Sequence, residues 1–498
     1  MGTVWADGAR PAGPWPPVLY LSAEVAPLSK VGGLGDVAGS LPAALARHGV
    51  PIVIVTPWYR GIEERVPLRS LPLTIEVPLA ESHERFTVGR TWLPNGVSVL
   101  ALANERLFGQ PVVYDEPRDR ERFFLFSRAA AELARLFPPG IVHANDWHTA
   151  LSLVWLHRWH DDRADGPRHA LVLTIHNLAH QGITEIAYAR RLGFEAEDLL
   201  FEEWQRYPGT INVLARGIHV ADAVTTVSPT YAQEIRTPEF GEGLHGLLRY
   251  RGEALWGIRN GIDIDFYDPA NDPVLPARYD PDRLAGKRIC KRVLQSELGL
   301  EQDETALLAG VVSRLDWQKG LDLLVAAAPE LVARNVQLAV LGTGDPDIGR
   351  ALQRLAEQYP GRVAVRLAFD PVLARRIYAG ADAVIVPSRF EPCGLAQLIG
   401  LRYGAIPVVR RTGGLADTVE EWDGQRGNGF LFDAPTPDAL VQAMDRALTV
   451  YRQVVAWQQL IRAAMRSDVS WDEPARHYLE LYRTLVASTG SRAITRVL

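Results

Sequence analysis

Short apolar runs, each followed by a polar or glycine-rich turn and then a helical pattern, recur along this chain. Val18-Leu19-Tyr20-Leu21-Ser22 follows Pro16-Pro17 and predicts a buried strand. A glycine turn over residues 30–36 and a helical stretch over 36–48 come next. Pro51-Ile52-Val53-Ile54-Val55 then predicts a second strand, so the chain opens β-loop-α-β. Further strand candidates are Ile141-Val142-His143-Ala144, Leu171-Val172-Leu173-Thr174-Ile175 and Ala223-Val224-Thr225-Thr226-Val227. Continuous apolar strands alternating with helices predict a parallel sheet covered by helices.

The rhythm restarts late, at residues 306–312, 336–341, 363–365, 383–386 and 406–409, and helical patterns over 471–486 close the chain. Residues 260–282 between the two sets are rich in Asp, Pro and Asn and read as loop. The predicted class is α/β, with two Rossmann-like doubly wound domains. The expected division is a loose tail over 1–17, a first domain over 18–257, a second over 258–468 and a closing segment over 469–498. Open α/β sheets bind ligands at the carboxyl ends of their strands. The unusual residues stand at those ends: 30–36, 146–148, 176–177, 314–320, 342–344 and 391–395. Two such edges facing one another predict a cleft between the domains.

A length of 498 residues requires more than one core, and 47% hydrophobic with 22% charged residues is an ordinary globular balance. A net charge of −6 without a dense basic run argues against a nucleic-acid partner. No apolar stretch approaches the ~20 residues that span a bilayer, so no membrane partner is expected. The two cysteines, Cys290 and Cys393, are too few for a disulfide framework. The first 17 residues lack the basic start and apolar block of a signal peptide, so a cytoplasmic setting is the default expectation.

Lysine sharpens the picture. Of 53 basic residues only four are lysines: Lys30, Lys287, Lys291 and Lys319. Where arginine has replaced lysine wherever either serves, the survivors are enriched for positions that need a compact ammonium. Lys30 opens Lys30-Val31-Gly32-Gly33-Leu34-Gly35-Asp36, and Lys319 closes Arg314-Leu315-Asp316-Trp317-Gln318-Lys319-Gly320. The glycine turn before a helix suits an anion held by backbone N–H groups. It is neither a dinucleotide fingerprint nor a Walker loop, which argues against a nicotinamide dehydrogenase or ATP chemistry. Arg314 and Lys319, just past a strand, suit neutralisation of a departing pyrophosphate without a metal. A pair of solvated charges is the bland alternative.

Gly342-Thr343-Gly344 is a weaker anion-friendly loop. Glu391, between Phe390 and Pro392 and before Cys393-Gly394-Leu395, can accept two hydroxyl hydrogen bonds while the following amides hold an anion. The alternative is a helix N-cap. His176-Asn177 ends a strand and could contact a sugar, although a lone His is more often structural. Asp146-Trp147 pairs a carboxylate with a flat apolar face, a frequent way to hold sugar rings.

These segments resemble one family, the bacterial glycogen synthases and plastid starch synthases of the GT-B glycosyltransferase class. The likeness runs from Ser22-Ala23-Glu24-Val25-Ala26-Pro27 through the Lys30 turn, residues 142–148, 174–178, 226–232 and 260–263. Residues 313–320, 388–395 and 410–417 complete it, so nearly all of 18–485 is covered in order. The resemblance implies transfer of glucose from a nucleotide sugar, normally ADP-glucose, to the non-reducing 4-OH of an α-1,4-glucan. It implies retention of configuration and no cofactor or catalytic metal. It assigns the diphosphate to Lys30, Arg314 and Lys319, and glucose hydroxyls to Glu391. His176 falls beside the anomeric centre, where its backbone carbonyl supports oxocarbenium character.

On the same grounds Gly33, Gly342, Phe369, Cys393, Gly394 and Leu395 belong to donor binding. Asp36, Asp146, Trp147, Asn177 and Asn260 match sugar or acceptor positions, and the closing helix is expected to cross back onto the first domain. Ala396 stands where many members carry threonine, Phe369 replaces a tyrosine against adenine, and His245 replaces an aspartate. Two alternatives stand beside this reading: a UDP-glucose-preferring synthase, and a silent glucan-binding protein of the same fold. The second predicts loss of Lys30, Arg314, Lys319 or Glu391, yet all four are present.

Overall fold

A computed structural model describes residues 15–79, 82–114, 117–161, 168–192, 194 and 209–488; most of the expected N-terminal tail and the end of the closing segment lie outside the described residues. The chain divides into two compact units, residues 1–260 with 471–498, and residues 261–470.

The strands of the first unit are β1 (Val18–Leu21), β2 (Ile52–Pro57), β3 (Arg69–Pro78), β4 (His83–Trp92), β5 (Ser98–Ala103), β6 (Ile141–Asn145), β7 (Ala170–Ile175), β8 (Ile183–Glu185), β9 (Thr210–Asn212), β10 (Ala223–Thr226) and β11 (Leu255–Gly257). Among the described residues, nine of them form one sheet in the order β11-β10-β7-β6-β1-β2-β5-β4-β3, with β8 and β9 paired separately. β1, β2, β6 and β7 are buried along their whole length, which is why they read as unbroken apolar runs. The chain leaves β1 towards β2 on one side and resumes at β6 on the other, so the gap between β1 and β6 is the topological switch point.

The wholly parallel sheet predicted above needs correction at one end. β4 pairs antiparallel with both β3 and β5. β3 exposes much of its length, so it carries mixed polar and apolar residues rather than the apolar run that marks a buried strand. The helix Asp472–Ser488 belongs to this unit. Trp471 Nε1 donates to Ser40 Oγ at 2.8 Å, and the Tyr482 hydroxyl meets His143 Nδ1 at 2.7 Å.

The second unit holds β12 (Leu307–Val312), β13 (Val336–Leu341), β14 (Val363–Arg366), β15 (Ala383–Val386), β16 (Ile406–Arg410) and β17 (Phe430–Phe432), all parallel in the order β14-β13-β12-β15-β16-β17. Its switch point lies between β12 and β15. Local chemistry starts the helices: Asp345, Asp370 and Thr436 each accept an N-terminal amide from a helix whose first residue is proline.

Two of the four lysines stabilise this unit. Lys287 is buried, and its ammonium donates to the carbonyls of Ala381, Tyr403 and Ala379 at 2.9, 3.0 and 3.1 Å. Burial pulls its pKa down to about 8. Lys291 donates to Ala306 O, Asp382 Oδ2 and Tyr451 Oη at 2.6, 2.7 and 2.8 Å. Converging acceptors around one point match a tetrahedral ammonium and not a planar guanidinium.

Candidate functional site: the strand-end edge of each unit

In the second unit the loops after β12 and β15 meet at the switch point. Asp316 caps the short turn Trp317–Lys319 by accepting the Lys319 amide at 3.0 Å, which aims the lysine at the neighbouring loop. The Lys319 ammonium lies 2.8 and 2.7 Å from the two carboxylate oxygens of Glu391, which also accepts the Ser388 hydroxyl at 2.8 Å. Their side chains are 18% and 6% exposed, so the pair is largely withdrawn from water. Gly320 has positive φ, and a Cβ there would fall 2.1 Å from the Pro387 carbonyl, so this approach of the two loops requires glycine. Glu391 engages Lys319 and Ser388 through its carboxylate, and no cap through its side chain is seen for the helix Ala396–Tyr403.

Arg314 sits at the same edge with 47% of its side chain exposed and Asp316 Oδ2 at 3.3 Å. Gly394 and Leu395 lead directly into the helix Ala396–Tyr403, whose first amides have no acceptor within the helix. Cys393 is buried and contributes backbone here. Phe369, past β14, is 62% exposed and offers a free aromatic face. Gly342 has a packing reason: a Cβ would lie 1.9 Å from the Ser313 carbonyl, so the glycine lets the β13 and β12 loops touch.

In the first unit the edge forms around β1, β6 and β7. Asp146 follows β6 with φ of 55°, a conformation that turns its carboxylate back over the end of β7. Its Oδ1 accepts the His176 amide at 2.7 Å. Burial raises the Asp146 pKa to about 7, against the lowering effect of the His176 and Asn177 amides. The His176 ring meets Asn145 Oδ1 through Nε2 at 2.8 Å, and burial pulls its pKa down to about 3. Lys30 holds Asp36 at 2.6 Å, so these two site candidates are partners across the glycine turn. Asn260 ends the unit, buried, with its Oδ1 unpartnered among the described residues.

Two readings of this edge need revision. The amides of Val31 and Gly32 are not open to an anion, because buried Glu24 accepts them at 2.6 and 2.8 Å while Tyr114 donates to its other oxygen. Glu24 thus supplies the negative charge that favours the start of the helix Gly33–Arg47. Nor does Trp147 present a flat face to solvent. It is 9% exposed, edge-on to Phe123 and against His148, and a Cβ on Gly182 would meet its ring at 2.4 Å.

Glu24, Asn145 and Ser388 carry no role in the sequence reading. Their signal was faint: Glu24 and Asn145 are a lone acid and amide at strand ends whose partners Tyr114 and His176 are distant in the chain, and Ser388 is a lone hydroxyl three residues before Glu391.

Residues 17–250 match the starch synthase catalytic domain and residues 298–461 match the glycosyl transferases group 1. A glycogen synthase of Anaeromyxobacter dehalogenans is 46% identical over 486 residues, covering 94% of this chain and 99% of that protein. The chain belongs to the glycogen and starch synthase family. Another family member, a glycogen synthase of Thermotoga maritima, is 42% identical over 484 residues, covering 95% of this chain and 99% of its own length. The solved catalytic domain of starch synthase IV from Arabidopsis thaliana, with ADP and acarbose bound, superposes with a TM-score of 0.89. It shares 34% identity and covers 95% of this chain and 100% of that one. A sucrose-phosphate synthase from Thermosynechococcus elongatus, 20% identical with a TM-score of 0.59 over 95% of this chain and 100% of its own, shares the fold. The fold is GT-B, and the family makes the chain a glucan synthase.

Proposed function

We propose that this glucan synthase transfers glucose from ADP-glucose to the non-reducing 4-OH of an α-1,4-glucan with retention. The observation that carries the reading is the Lys319–Glu391 pair at the switch point of the second unit. It sets a cation and a sugar-hydroxyl acceptor side by side, which suits a substrate whose sugar adjoins a diphosphate. A starch synthase solved with ADP and acarbose supports the donor and acceptor classes.

In this mechanism the bond from the anomeric carbon to the diphosphate oxygen breaks, and the bond to the acceptor O4 forms on the same face. The acceptor proton passes to the departing diphosphate, giving ADP and a glucan one unit longer. Arg314, Lys319 and the amides of Gly394 and Leu395 take up the charge that develops on the leaving group. Donor hydroxyls bind Glu391 in competition with Lys319, whose ammonium is then shared with phosphate. The carbonyl of His176 supports positive charge at the anomeric carbon, with Asp36, Asp146 and Asn177 on the sugar side and Phe369 against the adenine. The placement of Lys30 on the diphosphate rests on the family resemblance, since in the structure its ammonium is held by Asp36.

Incorporation of labelled glucose into glycogen from ADP-glucose and UDP-glucose, measured side by side, tests the reading. Faster transfer from ADP-glucose is expected. Preference for UDP-glucose corrects the donor, and no transfer from either overturns the function.

A further inference from the structure

Asn145, the last residue of β6, is buried and fully engaged. Its Nδ2 donates to the Leu21 carbonyl at 2.8 Å, which fixes the amide orientation and makes Oδ1 an acceptor. That oxygen receives the Tyr20 hydroxyl at 3.0 Å and His176 Nε2 at 2.8 Å. An acceptor-only partner requires the proton on Nε2 of the neutral ring. The next residue, Asp146, accepts the His176 amide at 2.7 Å. Two consecutive residues therefore hold His176 at both its ring and its main chain, and together they set the direction of the His176 peptide.

We infer that Asn145 is a positioning residue for glucosyl transfer, and that the His176 imidazole is the strut it grips rather than an acid or base. The inference rests on the proposed function and deepens it, because a carbonyl that supports the anomeric carbon acts only when its peptide is held still. A misplacement of about 1 Å costs on the order of 10²-fold in rate. The titratable groups around the ring are Tyr20, which shares Asn145 Oδ1 with it, His143, His148 and, through the main chain, Asp146. Burial holds both histidines near pKa 3, so they remain neutral where the enzyme is assayed.

Nitrogen-15 NMR of ring-labelled histidine in the full chain, with His176→Gln to assign the signal, tests the strut directly. The wild-type ring is expected as the Nε2–H tautomer without titration between pH 8 and 5. A ring protonated at Nδ1, or one that titrates in that range, overturns the inference. Asn145→Ala is expected to lower kcat about 10²-fold with the donor KM within about threefold, and His176→Gln, which keeps a donor for Asn145, to hold kcat within about tenfold.

Asn145→Asp keeps the acceptor and adds a charge. It is expected to lift the His176 titration into the measured range while the pH profile of kcat keeps its shape. A profile that follows the new titration identifies the ring as an acid or base and overturns the strut. Asn145→Ala with kcat within twofold of wild type, or His176→Gln as poor as His176→Ala, overturns it as well. A wild type that transfers no glucose overturns the function, whereas the ring tautomer still decides what Asn145 does.

Discussion

Replacing Lys319 by alanine separates leaving-group stabilisation from simple binding. The ammonium lies within 2.8 Å of both Glu391 oxygens, so the substitution removes a preorganised cation and strips a buried carboxylate of its counter-charge. Loss of one such donor to developing negative charge costs about 10²–10³ in kcat, or roughly 3–4 kcal/mol of transition-state stabilisation. Breaking a buried ion pair costs about 3–5 kcal/mol of stability, and the partial exposure of Lys319 with the remaining Ser388 bond brings this down to roughly 1–3 kcal/mol. Initial rates over a range of labelled ADP-glucose, at saturating glycogen and below the variant's melting range, read the first cost. Thermal unfolding reads the second.

The double variant Lys319→Ala with Glu391→Gln removes the unpaired charge. It is expected to recover most of the lost stability and none of the rate. A variant with raised donor KM and unchanged kcat would show that Lys319 contributes uniform binding, and the leaving-group argument would fail.

Lys287→Arg keeps the charge but cannot serve three converging carbonyls. Overpacking and a stranded acceptor are expected to destabilise the second unit by roughly 2–5 kcal/mol, lowering its Tm by about 5–15 °C, whereas exposed Arg452→Lys stays within about 1 °C. Glu24→Gln can keep both amides of the Lys30 turn on its one oxygen only by turning its NH2 group towards the Tyr114 hydroxyl, which loses its carboxylate acceptor, and a loss of about 1–3 kcal/mol measured by denaturant unfolding is expected together with reduced transfer. Acid should destabilise the first unit. His143, His148 and His176 have folded pKa values of about 3, below the unfolded 6.5, so the unfolded chain binds more protons and stability is lost as pH falls from 6.5 towards 3. At pH 5 this amounts to about 2 kcal/mol for each histidine. Asp146, raised to about 7, works in the opposite direction and returns roughly 2–3 kcal/mol between pH 7 and 5. Unfolding midpoints measured from pH 8 to 5 should therefore fall, and a flat profile would contradict the neutral buried histidines.

The buried parallel strands are legible from sequence because both faces are covered, leaving unbroken apolar runs such as Val18–Leu21 and Val336–Leu341. The edge strand β3 and its neighbour β4 are not, since their mixed exposure gives no such run. Site candidates at strand ends are legible as residue types, and Lys319 and Glu391 prove to be in contact. What holds them is not. The Glu24 carboxylate under the Lys30 turn is held by Tyr114, and the Asn145 amide lies under His176, through hydrogen bonds between residues far apart in the chain, which carry no local pattern. The lysine scarcity is informative for a broader reason than ligand binding. Lys287 and Lys291 survive where converging acceptors demand an ammonium, and Lys319 where two carboxylate oxygens do.

The central claim is tested most directly by proton NMR of a maltooligosaccharide incubated with the enzyme, ADP-glucose and a metal chelator. The account predicts new α-1,4 anomeric signals growing in step with released ADP. Absence of transfer from either nucleotide sugar, a β-linked product, or activity that returns only with added metal would contradict it.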